Sequence, residues 1–369
     1  MKISIQQNIL KQTLKNVMRT ISKKPHLPIL NGILFEVKKD LNLMSITSTD
    51  LLVGSKFNIE VSVDEDIEFI VPGKILGDIV NVLDGDETTL LIDGKNLQII
   101  NGKDKVGIQL LSEGDYPEFP LLNGESCKIK ETALRKIVKS VGFAASTDLS
   151  RPILTGLYYF FGDEHKVVGT DGFRLSVLTL KNTTDWQDRG WIISAKAFAD
   201  VLSLVENYNN KEIEFIVDEE RGQVNFSSAN FVYFAKLIDG NYPPFEKIIP
   251  LEFATEVCFS KENLINDLSK ALVLTRDASS IIKMLFNEDG IFLSGKSSSG
   301  STYEGVVPID KFEGETTEIA FNAHYILDFL NTVKSDVVWM GINDKTKPAM
   351  FKDVQDKELI YIAMPFKAR

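Results

Sequence analysis

Gly290, Gly295, Lys296 and Ser297 stand at the spacing GxxxxGK[ST], that of a phosphate-binding loop. Such a loop needs a strand before it, a flexible turn within it and a helix after the lysine, so that backbone N–H groups converge on the anion. Here Glu288-Asp289-Gly290 form the turn, Ile291–Leu293 read as a strand, and residues 298–302 carry no helical pattern. The stretch Gly290–Ser297 is therefore expected to be a strand, with a nucleotide-using enzyme left as an alternative. His26, His165 and His324 show neither HxxxH nor HExxH spacing, and no GxSxG elbow is present. Thr170-Asp171-Gly172 offers a carboxylate but no neighbouring base or nucleophile, so Asp171 is expected to cap a turn. Cys127 and Cys258 lack CxxC spacing and read as buried small hydrophobes in a reduced, cytoplasmic compartment. The residues thus predict no catalytic group, metal or cofactor.

Charge offers a different chemistry. Between residues 10 and 24, Leu10, Leu14, Val17, Met18 and Ile21 form one helical stripe, while Lys11, Lys15, Arg19 and Lys23 repeat at i+4 on the opposite face. With Lys24 the segment has five bases and no acid. The segments 131–143, which hold Arg135 and Lys139, and 260–276 are also net positive. Together the three carry +8 in a chain of −11, which leaves −19 on the remainder. Basic helices in an acidic body point to a polyanion met through the helices, held by weak, sequence-blind contacts that permit sliding. A solvated amphipathic face is the other reading of any one such helix.

The elements that carry these charges recur. KILGDIVNVL (74–83), KAFADVLSLV (196–205) and HYILDFLNTV (324–333) align without a gap, with Asp78, Asp200 and Asp328 in register, 122 and 128 residues apart. LPILNGILFEV (27–37) pairs with RPILTGLYYFF (151–161), and EGDYPEF (113–119) with DGNYPPF (239–245). Such spacings are domain-sized. They predict three copies of one module, at residues 1–125, 126–253 and 254–369. Each copy reads as strand, helix, two strands, second helix and a hairpin-rich stretch, an α+β fold with antiparallel sheets. No apolar run approaches the ~18 residues of a membrane span.

TSTD, VGTDGFRLSVL, KLIDGNYPPF, FNAHYILDFLN and the terminal YIAMPFK resemble the bacterial DNA polymerase sliding clamp family, the beta subunit of the replicative polymerase. The resemblance covers residues 1 to about 367. It implies a ring-shaped head-to-tail homodimer around double-stranded DNA, with helices lining the hole, loading by an ATP-driven clamp loader, and no catalysis. It further implies a pocket for short peptides of the polymerase and other clients, at Leu154, Thr170, Gly172, Arg174, Leu175 and Pro243, then Ile248, Thr346, Pro348, Ile362, Met364, Pro365 and Phe366. Phe173 and Lys247 depart from the family pattern there. DNA-facing positions are implied at Lys24, Arg151, Lys196, Asn322, Tyr325 and Lys367. A subunit contact is implied between Lys105, Val106 and Ile108 on one side and Val273 and Leu274 on the other. A monomeric peptide-binding adaptor without DNA is the remaining alternative.

Size supports two chains. A module of one third of the chain has a radius of gyration of ~14 Å, so it is roughly 35 Å across. Three in a triangle leave a hole of only ~5 Å, whereas six in a hexagon leave ~35 Å, enough for duplex DNA. A heterologous contact between module one and module three would close such a ring.

Overall fold

The computed structural model describes residues 1–22, 26–63, 65–111, 115–120, 124–181 and 186–366. Among them the chain repeats one order of elements. Copy one opens with strand Lys2–Gln6 and helix α1 (Gln7–Val17). Four strands between Gly32 and Pro72, helix α2 (Gly73–Val82) and three strands between Glu87 and Gln109 follow. Copy two repeats this with Ser126–Lys130, α3 (Glu131–Ser140), strands from Gly156 to Ser194, α4 (Ala195–Asn207) and strands from Glu212 to Lys236. Copy three has Thr255–Ser260, α5 (Lys261–Thr275), strands from Ile281 to Asn322, α6 (Ala323–Leu330) and strands from Val337 to Ala363. One backbone bond marks the triplication. The first N–H of each opening helix donates to a carbonyl beyond the second helix: Gln7 to Asp86 (2.9 Å), Glu131 to Lys211 (2.8 Å) and Lys261 to Asp336 (2.8 Å).

The sequence pattern gave two strands between the helices where copies one and two have four. In copy one the unanticipated strands are Val53–Glu60 and Ile67–Pro72. Gly54, Ser55, Lys56 and Asn58 break the apolar signal, and the strand is held instead by partners on both sides, Leu43–Thr49 and Phe231–Lys236.

The chain divides into two compact units, residues 1–132 with 199–237, and 133–198 with 238–369. The first holds a four-stranded sheet ordered Lys2–Gln6, Glu87–Asp93, Asn96–Asn101, Asp104–Gln109. It also holds an eight-stranded sheet in which Val53–Glu60 joins Phe231–Lys236. The second holds a nine-stranded sheet in which Arg174–Leu180 joins Leu359–Ala363, and a four-stranded sheet ending on Thr302–Val307. All strand pairs are antiparallel.

Each opening helix buries the stripe its spacing predicts: Leu10, Leu14 and Val17 on α1, Leu134 and Ile137 on α3, Leu264, Leu268 and Leu272 on α5. Each such side chain contributes roughly 1.5–3 kcal/mol. Helix α1 stops at Val17, whose carbonyl accepts from the Ser48 hydroxyl (2.7 Å) and from Thr20 (3.1 Å). These bonds satisfy a group the helix leaves open, so Arg19 lies beyond the helix, not on it.

Candidate functional site

In the second unit the strands His165–Thr170 and Arg174–Leu180 are joined by a turn built on Asp171. Its Oδ1 accepts from the N–H groups of Phe173 (2.8 Å) and Arg174 (3.0 Å). Gly172, at φ +91°, supplies the left-handed residue the turn requires, and the Thr170 hydroxyl accepts from its N–H (3.0 Å). Asp171 thus caps a turn, as its neighbours predicted. The equivalent turn in copy one has Asp50 accepting from Leu52 (2.9 Å) and Val53 (2.8 Å), with Leu51 at φ +75° in the glycine's place.

The turn aims two side chains apart. Phe173 projects outward, 56% exposed. Arg174 turns inward: its Nε meets Asp171 Oδ2 at 3.0 Å, its Nη1 donates to Asp328 on α6, and its guanidinium lies over the rings of Phe143 (5.5 Å) and Tyr325 (4.8 Å). Burial opposes its charge, but the Asp328 hydrogen bond and the nearby carboxylates outweigh it and raise the pKa above the usual value. A cation fixed on two carboxylates and two rings is a rigid wall, not a general base.

Beside it, Leu175 lies opposite Ile362 across the strand pair. Both belong to a buried cluster with Val168, Val177 and Phe245, flanked by the partly buried Tyr158, Tyr242, Ile249 and Ile360. The Tyr242 hydroxyl donates to the Val168 carbonyl (3.2 Å), and its ring stacks on Tyr158 (5.2 Å). The chain's last described residues are tied back: the Met364 N–H donates to the Phe173 carbonyl (2.8 Å), and that of Phe366 to the Ala320 carbonyl (2.7 Å). Ile248 and Phe366 are 41% and 46% exposed. Leu154 and Pro348 are half-buried; Pro243, Lys247 and Thr346 are exposed. The Thr346 hydroxyl donates to Asp344 (2.6 Å). Tyr158, Tyr242, Ile249 and Ile360 were not singled out from the sequence, although Tyr242 sits in the repeated NYPPF segment.

The basic stripe divides. The Lys11 ammonium donates to the Asn81 carbonyl near the end of α2 (2.6 Å). Arg19 pairs with Asp200 (3.3 Å) and donates to Ser203 (2.7 Å). Both were expected to face a polyanion; within the single chain Lys11 reaches the neighbouring helix from the flank of α1, and Arg19, beyond the end of that helix, reaches Asp200 and Ser203. Tyr325 lies under the Arg174 guanidinium, and the Asn322 side chain caps α6 through the His324 N–H (3.0 Å). Arg151 pairs with Asp148 (3.3 Å) yet stays exposed. Lys15, Lys139 and Lys196 are exposed, and Arg135 is half-buried. Lys23, Lys24 and Lys367 lie outside the described residues.

Of the expected subunit contact, Lys105 and Val273 (68% exposed) are open, and Val106 and Leu274 are half-buried. Ile108 is 5% exposed, opposite Leu97 in its own sheet, so it is core of its own unit. The phosphate-loop spacing falls on strand Gly290–Lys296, paired on both sides. No group of metal-ligating residues occurs among the described residues, and no helix there is long and apolar enough to cross a membrane.

Three family models match in order: the N-terminal, central and C-terminal domains of the DNA polymerase III beta subunit, over residues 1–120, 128–244 and 246–367. A beta sliding clamp of Vibrio cholerae is 26% identical, with 100% of both chains covered. The crystal structure of the DNA polymerase III beta subunit of Thermotoga maritima is 26% identical with a TM-score of 0.92, again over 100% of both chains. The sliding clamp of Bartonella birtlesii, solved bound to griselimycin, has the same fold at 23% identity and a TM-score of 0.93, over 100% of both chains. The chain belongs to the DNA polymerase III beta subunit family, the beta sliding clamps.

Proposed function

We propose that this chain is a DNA polymerase processivity factor: two copies close head to tail around duplex DNA, slide without reading sequence, and tether the replicative polymerase. The observation that carries the assembly is a pairing rule. In the first unit the third inter-helix strand of copy one, Val53–Glu60, pairs with the last strand of copy two, Phe231–Lys236. In the second, Arg174–Leu180 of copy two pairs with Leu359–Ala363 of copy three in the same way. The rule leaves Thr302–Val307 of copy three and Asp104–Gln109 of copy one as sheet edges. An edge invites another chain, and a second copy supplies the missing partner for each. Repeats one, two and three, at 1–125, 126–253 and 254–369, are then six equivalent modules in the ring.

Lys15, Lys139, Arg151 and Lys196 supply the exposed positive charge that meets DNA phosphates in this reading. The surface around Phe173, Arg174, Leu175, Ile248, Ile362 and the terminal Met364–Phe366 takes a short client peptide: exposed apolar side chains flank a rigid floor, which suits aliphatic and aromatic anchors. The clamp loader engages the same surface, and the protein acts in the cytoplasm as a non-catalytic subunit. The decisive experiment loads the clamp on closed circular DNA. Retention should survive salt that abolishes direct binding, and linearising the circle should release the protein. Equal retention on circular and linear DNA would overturn the ring.

A further inference from the structure

One hydrogen bond recurs after the last strand of every copy. The N–H groups of Leu111, Ile238 and Phe366 donate to the carbonyls of Ile70, Ile192 and Ala320, at 2.9, 2.8 and 2.7 Å. From that bond copies one and two carry the chain over the face of their inter-helix strands that is turned away from the helices. Tyr116 and Tyr242 lie on this path, and their hydroxyls donate to the Gly32 and Val168 carbonyls, both at 3.2 Å. Strand pairing defines one cross-strand row beneath: Ile70, Leu34, Thr47 and Lys56 in copy one, and Ile192, Tyr158, Val168 and Val177 in copy two. All are buried or half-buried. The same row of copy three is Ala320, Lys283, Ser294 and Glu304. There Lys283 and Glu304 are exposed, and among the described residues no equivalent of the tyrosine segment covers them.

Two departures turn this third face into an open cleft. In copies one and two a glycine lets the covering segment close in: a Cβ on Gly32 would lie 2.8 Å from Leu111 Cδ1, and one on Gly156 would lie 2.9 Å from Ile238 Cδ1. Ile281 holds that place in copy three. Its side chain takes the space, and Phe366, the counterpart of Leu111 and Ile238, is left 46% exposed. Lys283 stands where Tyr158 supports the Tyr242 ring. With Lys296, Ser294, Thr302 and Glu304 it lines a cleft of about 370 Å³. Both lysines are exposed, and neither has an ion partner among the described residues. The adjoining row, Leu285, Phe292 and Val306, is apolar, with Val306 51% exposed. We infer that this face of copy three is a docking surface for an extended acidic segment of a partner protein that bears an aromatic residue. Carboxylates meet Lys283 and Lys296 on the two central strands, and the ring lies on Leu285, Phe292 and Val306. The sister faces show that the surface takes an aromatic segment crossing its strands, and the unpaired cations set the sign of that segment's charge. This surface adds to the client surface proposed above and shares only Phe366 with it.

Residues 113–120 of this chain, EGDYPEFP, supply the probe, since they carry acids, no base, and the Tyr116 and Phe119 rings. A synthetic peptide of that sequence, labelled at its N-terminus and amidated at its C-terminus, should bind the intact chain in fluorescence anisotropy. Lys283→Glu/Lys296→Glu should weaken it at least tenfold. Carbodiimide coupling followed by mass spectrometry should join the peptide's carboxylates to Lys283 or Lys296 of the wild type, which locates the peptide without any variant. A peptide that fails to bind, or that couples only elsewhere, overturns the docking surface. So does one that loses its affinity in Arg174→Ala but keeps it in the double lysine variant, because it then sits on the client surface. Binding that emerges only after residues 367–369 are deleted makes the chain's own end the occupant and overturns a partner. Each of these outcomes leaves the ring and the client surface standing.

Discussion

Asp328 accepts a hydrogen bond from the guanidinium of Arg174, a residue of the preceding copy. Asp200, at the same place in copy two, accepts from Arg19 of copy one (3.3 Å). The two arginines come from different positions in their repeats, so the acidic position persisted and the cation was found twice. Asp78, the third member, has no ion partner in its own chain among the described residues.

Arg174 joins one turn, one helix and two rings, so its loss should be felt twice. Arg174→Ala should lower unfolding free energy by about 2 kcal/mol, the scale of charge-assisted hydrogen bonds left partly unpaired. Affinity for a client peptide should fall at least tenfold in calorimetry. Arg174→Lys should recover part of the stability and little of the affinity, because an ammonium lacks the planar fork. Wild-type affinity in Arg174→Ala would remove this residue from the peptide surface.

The terminal segment makes a separable test. Deleting residues 364–369 removes the bonds from Met364 and Phe366 and the exposed Phe366 ring. Peptide binding should weaken at least tenfold, about 1.4 kcal/mol, with self-association intact. If the truncated chain bound client peptides as tightly as the intact one, the surface assignment would fail.

Val273 is 68% exposed in the single chain, so Val273→Asp should fold normally. Buried against a second copy, the unpaired carboxylate would cost several kcal/mol. Sedimentation should show a folded monomer at concentrations where the wild type is dimeric. An unchanged dimer would place Val273 outside the contact.

His165 gives a pH signature. It is 1% exposed, its ring meets Phe161 edge-on at 4.5 Å, and its Nε2 has no partner among the described residues. Burial lowers its pKa below 6.5. The unfolded chain therefore takes up this proton first as pH falls, and stability drops through and below pH 6.5 down to the folded-state value. Urea midpoints at pH 7.5 and 5.5 should differ more in the wild type than in His165→Phe. Equal differences would mean that this histidine does not titrate on unfolding.

Local and periodic features were legible in the sequence. The triplication, the buried stripes of α1, α3 and α5, the Asp171 turn and the failure of Gly290–Ser297 as a phosphate loop all follow from neighbours within a few turns or strands. The sequence could not say what each face meets. Val53–Glu60 was missed because its partner strand, Phe231–Lys236, lies far along the chain and its own pattern is half polar. Lys11 and Arg19 were placed on a polyanion-facing stripe, yet Asn81 and Asp200 stand close enough to take them. Ile108 read as an interface residue and packs inside its own sheet. Periodicity reports that a side chain is turned away from water. Which residue it is turned towards depends on distances that arise only when strands and helices far apart in sequence are brought together.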